Sequence, residues 1–297
     1  MDRLLGCCED KGAPVCVGID PVFERLPGSL RDAEDSGPQV RLEAIGRFCR
    51  GVLAVVAPHV PAVKIQAACF ERYRAPGVAL YERLVDEARG LGLIVIADAK
   101  RGDIGISAEH YAAGCLEPSG EADPHSTEGP DALTVNAYFG ADSLQPFVES
   151  AWRFAKGLFA LVRTSNPDGD ALQGLALADG RTVGQAVAQI VAKSGSERRF
   201  VGRRGYSLLG AVVGATKADA AALRALMPQQ LFLVPGFGAQ GAGVKEVRAC
   251  FKEDGTGALI TASRSVLYAY EKHETDDWQG AVEAATLRMK QEVAGIV

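Results

Sequence analysis

The sequence predicts a single (β/α)8 TIM barrel with surface insertions and a C-terminal helix. Eight short, nearly continuous apolar runs alternate with longer amphipathic stretches along the chain, as parallel strands buried on both faces alternate with the helices that cover them. The charged and glycine-rich strings fall at the C-terminal ends of these runs, where a barrel of this kind builds its chemistry. A doubly wound open sheet can also carry eight strands, and periodicity alone does not separate the two. Length is also ambiguous: 297 residues would fit two domains of about 150, yet α/β barrels commonly run to about 250 residues as one. The order of the strand-end motifs decides for one domain spanning residues 1–297.

The strands are expected at 15–19, 62–65, 93–97, 132–135, 158–162, 211–213, 231–234 and 258–260. Each is brief and rich in Val, Ile, Leu or Ala. Helices are expected at 41–56, 78–89, 182–193 and 218–226, with a last one at 278–293. Three polar stretches, 24–39, 117–130 and 194–207, are too long for tight turns and read as surface insertions. The first two look structurally idle. The third carries Arg198, Arg199, Arg203 and Arg204. It reads as a solvated basic loop or as a mobile, anion-attracting one, part of which would cover the site.

Composition narrows the function. Hydrophobic residues make up 47% and charged residues 23%, with a formal net charge of -5, which is globular rather than disordered. A mildly acidic surface argues against nucleic acid or anionic membrane as the main partner. No apolar run reaches about 18 residues, and residues 1–12 lack the apolar core of a secretory signal. Seven cysteines without C-x-x-C spacing fit reduced thiols in a cytoplasmic protein. Four scattered histidines without H-E-x-x-H give no zinc site.

The richest string is LIVIADAKRGDI, residues 93–104. Side chains alternate along a strand, so Ile94, Ile96, Asp98 and Lys100 share one face, and an apolar face ends in a carboxylate and an ammonium. Alone, such a string is also what an ordinary salt-bridged strand-to-helix loop looks like. Its company changes that reading. Asp20 ends the first strand and Lys64 ends the second, and a lysine inside an apolar run is costly to bury without an opposite charge. Asp20, Lys64, Asp98 and Lys100 then stand on successive strands, alternating in sign and keeping one another ionised. A charged Lys100 can deliver a proton to a developing carbanion. Asp98 places negative charge where an anionic substrate group must leave.

After the seventh strand, PGFGAQG (235–241) formally satisfies G-x-G-x-x-G. A dinucleotide site is rejected, because no acid ends a following strand about twenty residues on. The next strand ends instead in Thr261-Ala262-Ser263-Arg264. Loops after strands seven and eight of a barrel often bind phosphate through backbone N–H groups, with Gln240 as an amide donor and Arg264 as a bidentate one. The plainer alternative is a tight turn with a surface arginine.

Taken together, these strings resemble the orotidine 5′-phosphate decarboxylase family, in particular its longer bacterial, mycobacterial-like (type 2) subgroup. The matching segments are VGIDP (17–21), VKIQA (63–67), DAKRGDI (98–104), TVN (134–136), RTSNP (163–167), VPGFGAQG (234–241) and SRS (263–265). They run in family order from the first strand to the eighth. The resemblance implies decarboxylation of orotidine 5′-monophosphate to uridine 5′-monophosphate in de novo pyrimidine biosynthesis, without metal or organic cofactor. It implies that Asp98 faces the substrate carboxylate and Lys100 protonates C6, while Asp20 and Lys64 contact ribose hydroxyls. Asp103, helped by Ser107, would act across a homodimer interface on the ribose of the partner's site. Ser165 would hydrogen-bond the pyrimidine, and Gln240 with Arg264 would grip the 5′-phosphate. Departures from the family pattern are Ile65 for a proline, Cys69 for an aromatic residue, and Ser107 for a threonine.

Two rival readings remain. A metal-dependent sugar-phosphate lyase or synthase on the same barrel would share the D-x-K-x-x-D string but carry an acidic metal ligand where Lys64 stands. A non-catalytic phosphometabolite-binding protein would keep Gln240 and Arg264 and lose the charged array.

Overall fold

A computed structural model of the chain describes residues 1–31, 37–118, 128–214, 219–238, 244–272 and 275–296. A short helix α1 (Asp2–Lys11) precedes strand β1 (Val15–Ile19). The chain continues through α2 (Pro38–Val56), β2 (Ala62–Gln66), α3 (Ala68–Glu71), α4 (Arg74–Gly90) and β3 (Ile94–Arg101). Then come α5 (Gly105–Leu116), β4 (Ala132–Asn136), α6 (Ala141–Arg153) and β5 (Gly157–Arg163). The second half holds α7 (Gly169–Gln173), α8 (Val183–Ser194), β6 (Leu209–Val213), α9 (Ala220–Leu226), β7 (Phe232–Pro235), α10 (Val244–Arg248) and β8 (Ala258–Ala262). Two helices end the chain, α11 (Arg264–Leu267) and α12 (Trp278–Ala294). The eight strands pair in parallel in chain order and close, β8 against β1. The open-sheet alternative is thereby excluded, and all eight expected strands are present.

Alternation along each strand sorts the core into two. Val15, Val17, Ile19, Val63, Ile65 and Val95 point outward to Phe48, Val52 and Leu84 on the surrounding helices. Cys16, Ala62, Ile96, Phe159, Leu233 and Leu259 point inward and fill the barrel. The packing there is tight: a Cβ on Gly210 would meet the Phe159 ring at 2.8 Å. The departure at Ile65 is therefore a matter of outer packing, since this residue is fully buried against the helical layer.

Helix α1 was not legible as structure in the sequence, yet it plugs the N-terminal mouth. Leu4 is buried in the inner cluster, with Met1, Leu5, Cys7 and Cys8 packed around it. The carboxylate of Asp131 ties this end together. It pairs with Arg3 and with Arg89 (3.2 Å) and accepts the Val95 N–H at 2.8 Å. The arginine-rich stretch 194–207 joins α8 to β6 and so lies at this same end. Arg204 pairs with Glu9, the Arg203 N–H donates to Asp2 at 2.8 Å, and Arg199 pairs with Glu149 and Glu197. The solvated reading is correct, and the idea that this stretch covers the site is overturned by its position opposite the strand C-termini. Insertion 24–39 contributes two short 3₁₀ turns, Phe23–Arg25 and Gly28–Leu30, and its residues 32–36 lie outside the described residues. Most of insertion 117–130 (119–127) lies outside them as well.

Helix ends follow local rules. Pro38 opens α2 at a position where its missing N–H costs nothing. Thr182 and Gln185 form a capping box on α8, and the Asp277 carboxylate caps α12. Among the described residues no helix is long and apolar enough to cross a membrane.

If α1 is a plug rather than a decoration, Leu4→Ala leaves a cavity in the inner core. We expect a loss of about 2–5 kcal/mol of unfolding free energy, read by urea denaturation. A change within about 0.5 kcal/mol, as for a surface site, would show that α1 is peripheral.

Candidate active site

The C-terminal ends of the strands converge on a cavity of about 210 Å³. One wall is charged, made by Asp20, Lys64, Gln66, Asp98, Lys100 and Thr134 from the ends of β1 to β4. The facing wall is apolar, made by Leu161, Val212, Leu233 and Phe237 from β5 to β7. Gly236, Ser263 and Arg264 complete the rim after β7 and β8.

Strand pairing brings the charged wall together. Lys64 stands opposite Gly18 and Ile96 in the ladder, and Gln66 opposite Asp98. Lys64 Nζ donates to Asp98 Oδ2 at 2.5 Å and lies 3.7 Å from Asp20 Oδ1. Lys100 Nζ donates to the other oxygen of Asp98 at 2.6 Å. Gln66 Nε2 (3.1 Å) and the Thr134 hydroxyl (3.0 Å) add a further donor to Oδ2 and Oδ1 respectively. One buried carboxylate thus receives four donors. The alternating-sign array expected from sequence is present, with Asp98 at its centre.

Burial alone would raise the Asp98 carboxyl, but the charges and hydrogen bonds of Lys64 and Lys100 outweigh it and hold it at about 2. Burial likewise opposes the charge on Lys64, yet Asp20 and Asp98 together hold its ammonium above the ordinary lysine value. Each buried charge is therefore kept ionised by its neighbours.

Local structure at β3 differs from a regular strand. Its register against β4 shifts between Ala97, opposite Leu133, and Arg101, opposite Val135. Lys100 sits in the left-handed region, at φ 48°, which is uncommon for a residue with a side chain. This bulge carries the Lys100 ammonium back to Asp98.

At the rim, Gly236 (φ 95°) and Gly238 (φ 74°) turn the chain after β7 through conformations that glycine adopts readily. Gly18 is required for another reason: a Cβ there would lie 1.9 Å from Ser263 Oγ. Its absence lets the Ser263–Arg264 turn approach β1. Gln240 lies outside the described residues.

Three candidates from the sequence stand away from the cavity wall. Asp103 lies after β3, half-buried, its carboxylate accepting the Ile104 N–H, and Ser107 is exposed on the first turn of α5. Ser165 follows β5 and packs against Gly214. Cys69 is half-buried on α3 against the outer core, and burial raises its thiol to about 11. Conversely, Thr134 and Gln66 belong to the site and were not singled out. The signal was there: each is a polar residue on the inward face of its strand, Gln66 two residues after Lys64 and Thr134 between Ala132 and Asn136.

Comparison with known proteins adds the family. Residues 14–275 match the model of the orotidine 5′-phosphate decarboxylase / HUMPS family. The orotidine 5′-phosphate decarboxylase of Rhodopirellula baltica is 43% identical, covering 96% of this chain and 95% of its own. That of Deinococcus radiodurans is 41% identical, covering 95% and 92%. Among solved structures, a Streptomyces avermitilis protein provisionally named orotidine 5′-phosphate decarboxylase superposes with a TM-score of 0.82 at 34% identity, covering 100% and 95%.

The depressed Asp98 carboxyl ties stability to pH. Its folded value of about 2 lies below the ordinary value of about 3.9, so its contribution is complete above about pH 4 and fades as pH falls towards 2. Urea unfolding of wild type and Asp98→Asn at pH 6, 4 and 2.5 should therefore show the stability gap narrowing across the last interval. A gap independent of pH would mean that Asp98 is not held ionised by its lysines.

Proposed function

The chain belongs to the orotidine 5′-phosphate decarboxylase / HUMPS family, and we propose that its Asp20–Lys64–Asp98–Lys100 array performs the family's decarboxylation. The reaction is that of a carbon–carbon lyase: orotidine 5′-monophosphate loses carbon dioxide to give uridine 5′-monophosphate in pyrimidine biosynthesis, as the name borne by its relatives states. The observation that carries the mechanism is the single buried carboxylate of Asp98 clamped between two ammonium groups, 2.5 and 2.6 Å away.

The substrate is an anion at both ends, and the site is divided to match. The 5′-phosphate goes to the glycine turn after β7 and to Arg264, with Gln240 as a further donor. The pyrimidine lies against the apolar wall of β5 to β7, with Ser165, which follows β5, as its proposed hydrogen-bond partner. The carboxylate at C6 then faces Asp98. Loss of carbon dioxide leaves an electron pair in an orbital that the ring cannot delocalise, so a cation must already be in place. Lys100 supplies it and passes its proton to C6, forming the C–H bond as the C–C bond breaks. Asp98 stays ionised, held by Lys64, and repels the substrate carboxylate. Fixed charge in a site shielded from water is the strongest means available, one positioned donor being worth about 3–4 kcal/mol. Phosphate binding remote from C6 supplies the energy that presses like charges together. Asp20 and Lys64 also meet the ribose hydroxyls.

The family name covers metal-dependent sugar-phosphate enzymes too. The Lys64 ammonium, 2.5 Å from Asp98 Oδ2, occupies the place where those enzymes carry an acidic metal ligand, and a second cation there would be repelled. A purely binding protein would have no use for an array this costly to bury. We therefore assign no metal and no organic cofactor, and read residues 1–297 as one cytoplasmic barrel domain.

A homodimer fits the remaining residues. Ile104 and Ile106 are 59% and 69% exposed beside Asp103 and Ser107, and Tyr138 and Phe139 are 72% and 50% exposed on the loop after the neighbouring strand β4. Such an apolar patch is a surface for association, here with a second copy whose ribose site Asp103 would complete.

Lys100→Ala should still bind uridine 5′-monophosphate yet lose at least about 1000-fold in turnover, measured by loss of orotidine 5′-monophosphate absorbance. Near-normal turnover would refute the mechanism. Wild-type turnover should be unchanged by EDTA; its loss, restored by magnesium, would favour the metal-dependent rival. Ile106→Asp should shift the protein from dimer to monomer in sedimentation and reduce turnover with it.

A further inference from the structure

Thr134 is the residue in which the geometry of the charged wall meets that of the backbone behind it. Across the β3–β4 ladder, Ala97 pairs with Leu133 and Arg101 with Val135. The three residues Asp98, Ala99 and Lys100 are therefore opposed by Thr134 alone. In this bulge the Thr134 hydroxyl accepts the Lys100 N–H at 2.9 Å. The same hydroxyl donates to Asp98 Oδ1 at 3.0 Å. It has one proton to give, and its other neighbouring acceptor, the Ala97 carbonyl, is farther away at 3.4 Å. Thr134 is 1% exposed, so neither bond is shared with bulk water.

A left-handed lysine persists only where its surroundings fix it. Lys100, at φ 48°, is held by this hydroxyl from the inner side of the barrel. The turn is also what brings Nζ to 2.6 Å from Asp98 Oδ1, the oxygen that Thr134 itself holds. Among the described donors to Asp98, Thr134 alone bonds the backbone of Lys100 as well. Building on the assignment of Lys100 as proton donor, we propose that Thr134 is a positioning residue that locks the Lys100 turn and the Asp98 carboxylate into one unit. It touches neither C6 nor the departing group; it keeps the ammonium where the electron pair will appear.

The test is a series in the full chain: Thr134→Val, Thr134→Ser and Lys100→Ala. Thr134→Val keeps the shape and removes both bonds. Its kcat should fall about 100-fold, the cost of a misplacement near 1 Å. KM for orotidine 5′-monophosphate and the affinity for uridine 5′-monophosphate should stay within about threefold, because uniform binding is untouched. Thr134→Ser keeps the hydroxyl and should restore kcat to within about fivefold of wild type. If Thr134→Val does not fold, Thr134→Cys, with a weak donor and acceptor in the same place, carries the same split with a smaller loss of kcat. An unchanged kcat in the valine or cysteine variant, with Lys100→Ala inactive, overturns the positioning role while leaving the proton donor in place. Loss of binding in parallel with kcat, or failure of serine to restore turnover, overturns it too. Turnover in Lys100→Ala overturns the underlying assignment instead.

Discussion

A carboxylate buried between two ammonium groups is the constraint on which the rest of this molecule depends. Neither Lys64 nor Asp98, both buried, could remain charged so far from water alone. Each does so because strand pairing sets Lys64, and the β3 bulge sets Lys100, within hydrogen-bond reach of Asp98. Parallel pairing of the strands in chain order, closed into a barrel, is what makes that possible. It places the ends of β1, β2 and β3 side by side and seals the base with inward-facing apolar residues and the Leu4 plug. The result is a site whose charges are set before any ligand arrives, as electrostatic stabilisation of a transition state requires.

The two ends of the barrel carry different work. At the N-terminal mouth, Asp131 gathers Arg3, Arg89 and the Val95 N–H, and the basic stretch 194–207 is neutralised against α1 and α6. These ion pairs serve cohesion. At the C-terminal mouth, charge is arranged for a ligand and apolar surface is left open on the opposite wall. The net charge of -5 therefore says little about the site. Under the proposed assignment, an anionic substrate is drawn by Lys100 and Arg264 at the mouth, not by the surface as a whole.

Much of this was legible in the sequence because burial leaves a strong pattern. Strands covered on both faces read as unbroken apolar runs, so all eight were found, with ends displaced by a residue or a few. Lys64 was legible because a lysine in such a run demands a partner. The bulge at Lys100 was not: a left-handed φ depends on the register of β4, which no local pattern encodes. Thr134 was hidden for the same reason, since its value lies in what it opposes. Helix α1 was missed because its apolar stripe of Met1, Leu4, Leu5 and Cys8 spans barely two turns, and its role comes from the open barrel end beneath it. The arginines at 198–204 suggested two fates, and only the α1 acids, distant in sequence, decided between them. Ser165 and Asp103 came from family resemblance alone, and neither lines the cavity in the single chain.

The claim at the centre of this account is the ionised state of Asp98. Carbon-13 labelling of the aspartate carboxyls, with Asp98→Asn to assign the resonance, allows its titration to be followed in the folded protein by NMR. The account predicts that the Asp98 signal stays at its ionised position from pH 8 down to pH 3. A midpoint at or above the ordinary carboxylate value of about 3.9 would contradict it, and with it the charge array on which the proposed chemistry rests.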